Sequence, residues 1–255
     1  MNYIVIDFEF NQCYNFKDGK ITVNEPRCPF EIIQIGTVKL NESFEIIGKA
    51  NFMIKPQIYN RMHPIVENMT GLKMQNLIFE KTFPEVYEEF SEFLGKEKYV
   101  FCVWGSGDLK ALFKNVNYYK LNHKLVSKKY LNVQTLAAKY LKRPSGMAIG
   151  LKNAITELSL TSELPFHNAL HDAIYTAEIF KIVQRPNMEI HMFNMANIIG
   201  ATPCKSDTIC KNNLYDFIEL QLNREISPIE KEVFKKVYNA GKTKLFDVKQ
   251  KPENS

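Results

Sequence analysis

The stretch "YIVIDFEFN" at residues 3–11 dictates what the rest of the chain has to provide. Tyr3, Ile4, Val5, Ile6, Phe8 and Phe10 make an apolar run of strand length, the kind that lies in a sheet covered on both faces. Asp7 and Glu9 interrupt it. Residues two apart on a strand point to the same face, so the two carboxylates project side by side. Such charges repel each other and resist burial. A solvated strand end, or a Lys or Arg partner, relieves a single acid readily. Two acids flanked by Ile6, Phe8 and Phe10 are relieved more directly by a divalent cation, and Mg²⁺ and Mn²⁺ favour carboxylate oxygens.

The chain around this strand has 255 residues, enough for one large domain or a domain with an appendage. "EIIQIGTVKL" (31–40) and "FEIIGKANFMIK" (44–55) read as two strands in an antiparallel meander with the first, after a polar loop from Asn11 to Pro29. "TFPEVYEEFSEFLG" (82–95) reads as a helix capped by Thr82 and stopped by Gly95. "KYVFCVW" (98–104) is a strand and "GSGDLKALFKN" (105–115) turns into a helix. "LNVQTLAAKYL" (131–141) holds either a short strand or a helix start. Helices follow over 148–160 and 167–185, stopped by Pro186. Strands alternating with crossover helices make a mixed α/β sheet. Beyond Pro186 the pattern is helical only, so residues 1–186 form one domain and 187–255 a helical extension. In that extension Ser227, Pro228 and Glu230 make a capping box for a helix ending at Gly241.

No run approaches 18 consecutive apolar residues, so no membrane span is expected. The first strand begins at once, with no basic segment and apolar run ahead of it. Five cysteines at irregular spacing fit a reducing cytoplasm better than a disulfide framework. Cys204 and Cys210 read as two unrelated thiols.

The net charge of +5 is unevenly placed. Lys110, Lys114, Lys120, Lys124, Lys128, Lys129, Lys139, Lys142, Arg143 and Lys152 fall in one stretch without Asp or Glu, so it carries +10 and the remainder −5. Tyr and Phe are interleaved with these cations. A solvated basic face is the ordinary explanation of a Lys-rich stretch. A run this long without an acid also suits phosphates, with aromatic rings for bases to stack on. Lys128, Lys129, Lys142 and Arg143 are the candidate nucleic-acid contacts, expected to rim the acidic site.

Two further acids sit where ligands gather. Asp108 follows an apolar strand and opens a helix, the end at which α/β sheets bind ligands; taken alone it would serve as an N-cap. Asp172, in "HNALHDA", lies on a helix among small residues that permit close packing. His171 is its neighbour and points about 100° away. His167 precedes it by five residues, at the loop–helix junction after Pro165 and Phe166. Either histidine can be a solvated surface group; the pairing of interest is His167 with Asp172.

Asp7-x-Glu9, Asp108 after a strand, and His167-x4-Asp172 together resemble the DEDDh 3′→5′ exonucleases, over roughly residues 1–185. "IDFEFN", "EIIQIGTVKL", "MTGL", "FPEVYEEF" and "WGSGDLKAL" are most similar to the branch that holds the sporulation inhibitor KapD and the exonucleases that trim small interfering RNA and histone mRNA. The resemblance implies an RNase H-like, five-stranded mixed sheet flanked by helices. It implies two Mg²⁺ or Mn²⁺ ions, with Asp7 bridging them, Glu9 and Asp172 completing one shell and Asp108 supporting the other. It implies His167 as general base, single-stranded nucleic acid as substrate, and RNA ahead of DNA. His171 stands where the family often has an acid, outside these five positions. Two other readings compete: a nucleic-acid-binding module without turnover, and a regulatory partner using residues 187–255 as an arm. "ISPIEKEVFKKVYNAG" resembles the first helix of a helix-turn-helix, with no recognition helix after it. All five positions are filled, which favours the enzyme.

Overall fold

The structure is a computed structural model that describes residues 1–144, 146–195, 198 and 226–242. Its frame is a mixed sheet. Strands β1 (Asn2–Gln12), β2 (Phe30–Leu40) and β3 (Ile46–Met53) form the expected antiparallel meander. β4 (Tyr99–Val103) runs parallel to β1, and β5 (Lys129–Asn132) parallel to β4. A sixth strand, β6 (His191–Met192), closes the order β3-β2-β1-β4-β5-β6. Five strands and only helices after Pro186 were expected, so β6 is a correction. A two-residue strand has no alternation to betray it. Its neighbour Phe193 donates its N–H to Lys128 O at 2.8 Å and stacks on Phe113 with ring centroids 4.9 Å apart.

β1 is buried because both of its faces are covered. Ile4, Ile6 and Phe8 pack beneath α3 (Phe83–Leu94) and α4 (Gly107–Tyr118), after the short α1 (Pro64–Thr70) and α2 (Met74–Leu77). Val5 faces the other core, built from α5 (Val133–Tyr140), α6 (Leu151–Glu157) and α7 (Ala169–Val183). Asp7 and Glu9 alternate with Phe8 as Val5 does with Ile6, so they belong to the α7 side.

Local chemistry sets the boundaries. Glu85 accepts from the Thr82 N–H at 2.7 Å and the Thr82 hydroxyl at 2.6 Å, and Gly95 ends α3 at a φ of 74°. The ambiguous stretch at 131–141 is strand and then helix: Asn132 ends β5 and its side chain accepts from Thr135 N at 3.0 Å, capping α5. The loop expected from Asn11 to Pro29 contains a hairpin instead. Thr22 N donates to Tyr14 O at 3.1 Å, Phe16 N donates to Lys20 O at 3.0 Å, and Gly19 turns the corner at a φ of 74°. Alternation there is masked by Lys17, Asp18 and Lys20 at the tip.

Residues Met1–Pro203 form one compact unit and Cys204–Ser255 a second. In the second, α8 (Pro228–Lys242) begins as expected, with Ser227 N donating to Glu230 Oε2 at 2.8 Å and Glu230 N donating to Ser227 Oγ at 3.3 Å. Cys204, Cys210 and the tail after Phe246 lie outside the described residues. No helix among the described residues is long and apolar enough to cross a membrane.

Candidate active site

The acidic end of β1 meets the start of α7, and two residues of β2 make that meeting possible. Gly36 pairs with Asp7 across the ladder. A Cβ at Gly36 would overlap the backbone of Ala169 and Leu170, so only a glycine lets α7 rest directly on the strand. Gln34 fastens the contact: its Oε1 accepts from Ala169 N at 3.2 Å while its Nε2 donates to Asn51 Oδ1 at 2.9 Å. Asn168 caps the helix, its side chain accepting from Leu170 N and His171 N. Ala169, Ala173 and Ala177 are fully buried and keep α7 close to the sheet.

This seating carries Asp172 to the strand acids. Asp7, Glu9 and Asp172 each present a carboxylate oxygen within 4.8 Å of the other two. Asp172 is 8% exposed and lies in the first turn of α7, where the helix dipole favours a negative charge. Its Oδ2 accepts from His167 N at 3.1 Å, whereas its Oδ1 is buried and accepts no hydrogen bond. Asp108 lies outside the group of three, in the first turn of α4, but its charge acts on both Asp7 and Glu9. It is not the N-cap it would be in isolation; Ser106 holds that position.

The electrostatics follow from crowding. Burial, then the charges of Asp108, Asp172 and Glu9, hold the Asp7 carboxyl well above the ordinary carboxylate range. Burial, followed by Asp172 and Asp108, pushes Glu9 up to about 7, and burial pushes Asp108 up to about 7. Asp172 is raised by burial, against the lowering effect of the His167 N–H and of the two histidines. Asp7, Glu9 and Asp172, the last with an unbonded buried oxygen, are an all-oxygen donor set that suits a hard divalent cation, and Asp108 adds its charge beside them.

A stability effect follows. The folded protein holds protons on Glu9 and Asp108 that the unfolded chain releases near pH 4. Metal-free stability is therefore greatest below about pH 4 as far as these groups are concerned, and declines as pH rises toward about 7. Thermal melts in a chelator should show Tm falling across this window, with a shallower fall in Glu9→Gln. Identical slopes for the two proteins would show that the cluster is not strained.

The two histidines differ. His171 Nδ1 lies 2.9 Å from the Pro165 carbonyl oxygen, which only accepts, so that nitrogen carries the proton and the ring is occupied. His167 has a left-handed backbone, with φ 63°, and an exposed side chain that makes no hydrogen bond among the described residues. Its N–H ties its backbone to Asp172 while the imidazole stays available.

The basic candidates are scattered. Lys129 pairs at the level of Val100, near the N-terminal ends of the parallel strands, and Lys128 precedes it. Asp7 and Glu9 lie at the opposite end. Lys128 and Lys129 thus do not rim the carboxylates, because β5 enters the sheet at the far end from the acids. Arg143 is ion-paired with Glu157 of α6, and Lys142 is exposed beyond the end of α5 with a φ of 54°.

Sequence reasoning missed Gly36, Gln34 and Asn11. Fully buried Asn11, two residues past Glu9, accepts from His63 N at 2.9 Å and donates to Arg61 O at 3.0 Å, fixing the 59–63 segment beside the strand end. The available signal was polarity inside apolar strands, which marks a residue needing a partner but not which partner.

The exonuclease family (RNase T) matches residues 4–180. No curated protein matches the chain. Solved structures share its fold. The nuclease domain of 3′hExo, a DEDDh family member bound to rAMP, aligns with a TM-score of 0.62 at 22% identity, over 76% of this chain and 96% of that one. A full-length 3′-exonuclease aligns at 0.64 and 20% identity, over 81% and 93%. E. coli exonuclease I with a dA16 oligonucleotide aligns at 0.54 and 15% identity, over 72% and 41%.

Proposed function

The chain belongs to the exonuclease family, and on that premise we propose that it is a divalent-metal-dependent 3′→5′ exonuclease releasing mononucleotides from single-stranded nucleic acid, RNA ahead of DNA. The convergence of Asp7, Glu9 and Asp172 oxygens within 4.8 Å carries this reading. Asp7, Glu9 and Asp172 would hold one Mg²⁺ or Mn²⁺ ion, and Asp7 with Asp108 a second. Bound there, such ions supply Lewis-acid stabilisation of the attacking and leaving oxygens of an in-line displacement.

The chain's own residues do the rest. His167 would take the proton of the attacking water, since its ring is not otherwise engaged and imidazole is the commonest general base. The His167 N–H holds Asp172 in orientation. The preference for RNA rests on the likeness of "IDFEFN" and "EIIQIGTVKL" to the KapD and small-interfering-RNA branch and on the RNA named for one solved relative, a 3′-exonuclease with a histone mRNA stem-loop. Lys142 remains a candidate strand contact, and the cytoplasm is the compartment its cysteines suit.

The test is hydrolysis of 5′-labelled single-stranded RNA and DNA of equal sequence, with and without Mg²⁺ or Mn²⁺. A metal-dependent ladder shortening from the 3′ end is expected, with RNA faster. Binding without turnover under every metal condition would favour a non-catalytic module on the same fold.

His167→Ala should lower turnover by roughly 10²–10⁴-fold, the range for a general base. His171→Ala should change it little, because that ring serves the Pro165 carbonyl. Mn²⁺ should still raise the Tm of His167→Ala as it does that of the parent. If His171→Ala is the damaging change, the base is assigned to the wrong histidine.

A further inference from the structure

Two cations of the basic stretch, Lys124 and Lys129, lie together with Lys96 and Lys98 away from the carboxylates. An open cleft of about 870 Å³ lies at the end of the sheet where β1, β4 and β5 begin, far from the acids. Lys96, Lys98, Lys124 and Lys129 line it. None of the four is ion-paired among the described residues, and all are exposed. Two acids also line the cleft, Glu92 and Glu97, and Glu97 accepts a hydrogen bond from the Asn2 side chain. The lining therefore keeps a positive excess. Its floor is apolar and aromatic: Tyr99, whose hydroxyl is already engaged by Ser127 N at 3.0 Å, and the 45%-exposed Leu125.

We propose that this cleft is a second nucleic-acid site, holding the phosphodiester backbone of a single strand at a distance from the carboxylates. Two observations favour such a strand over a small anion. The cleft is open, so a polymer can pass through it. An apolar and aromatic floor gives bases a surface to rest on. The cations come from two distant segments, 96–98 and 124–129, so the charge is a property of the fold.

The inference rests on the reading of this protein as a nuclease of single strands and adds a length requirement. Glu9 and the cleft floor at the level of Asn2 are separated by roughly 23 Å along β1, at about 3.3 Å per residue. A stacked strand advances about 3.4 Å per nucleotide along its axis, so it needs at least roughly seven nucleotides to touch both sites. Longer strands gain a second anchor that shorter ones cannot reach.

The test uses the full chain carrying Asp7→Asn, so that strands are bound and not cut, and labelled single-stranded RNA of about four and about thirty nucleotides. Adding Lys96→Gln, Lys98→Gln, Lys124→Gln and Lys129→Gln should weaken binding of the long strand about tenfold or more at low salt and leave the short strand as it was. The slope of log affinity against log salt should become shallower by about two to three, at about 0.7 per phosphate contact. The matching set of Lys→Arg changes should keep the parent affinity, which separates lost charge from a damaged fold. Equal long-strand affinities and equal salt slopes would overturn the proposal, as would equally strong competition by polyglutamate. Hydrolysis of the short strand by the unmodified protein is measured alongside. If the cleft effect is present and hydrolysis absent, the nuclease reading fails and the cleft stands; the reverse pattern removes the cleft alone.

Discussion

Asp7→Asn is expected to lower phosphodiester hydrolysis roughly 10⁴-fold, the several kcal/mol that metal ions would contribute to such a displacement. Asp7 is central to the charge distribution: Asp108, Asp172 and Glu9 all act on it. The amide keeps the shape of the carboxyl and removes its charge, so the metal-free protein becomes as stable as the parent or more so near pH 8, because one repelling group is gone. The same change should remove the Tm increase expected for the parent in Mn²⁺. A ligand at about a hundred times its dissociation constant adds about 2.7 kcal/mol, or roughly 5–10 °C for a domain of this size. Loss of activity, equal or higher metal-free Tm and loss of the Mn²⁺ response are expected together. A variant that hydrolyses RNA at near-parental rates would remove Asp7 from the site, whatever its stability.

Gly36→Val is expected to destabilise the protein by about 3 kcal/mol or more, since its Cβ would overlap helix backbone instead of a movable side chain. For a domain this size that lowers Tm by roughly 6–12 °C. Activity falls further than stability does, because the start of α7 must lift and Asp172 lifts with it. Scanning calorimetry and hydrolysis of labelled RNA check the two effects, with Gly36→Ala the milder member of the pair. A parental Tm and rate for Gly36→Val would show that α7 is not seated on β2 as described.

These two positions also mark how far the chain could be read before its structure was known. Asp7 and Glu9 stood out as paired acids in a buried strand, whereas Asp108 and Asp172 gained meaning only from their order after that pair, which resembles the DEDDh pattern. Their strands and helices carried clear alternation and capping signals, and the meander, the parallel crossover and α7 followed. Gly36 was legible only as a glycine in an apolar run. Its purpose depends on a helix that begins 133 positions later, and no local pattern encodes so distant a contact. Lys128 and Lys129 show the opposite failure. Their charge was plain, but their place depends on the direction in which β5 enters the sheet, which composition does not carry. The hairpin at 14–22 was hidden because a polar tip reads like a polar loop.

The seating of α7 on Gly36 has a consequence for the order in which the protein comes into being. Asp7 and Asp172 are 165 positions apart in the chain, so the site is among its most non-local contacts. The meander of β1, β2 and β3 pairs neighbouring segments and has no such wait. At synthesis rates of about 5–20 residues per second, the two strand acids leave the ribosome roughly ten to thirty seconds ahead of Asp172. Through that interval the nascent chain lacks Asp172 and the helix that completes the cluster. Closing so long a loop is a late event in folding as well as in synthesis. The acidic site therefore cannot assemble on the emerging chain until α7 has left the ribosome.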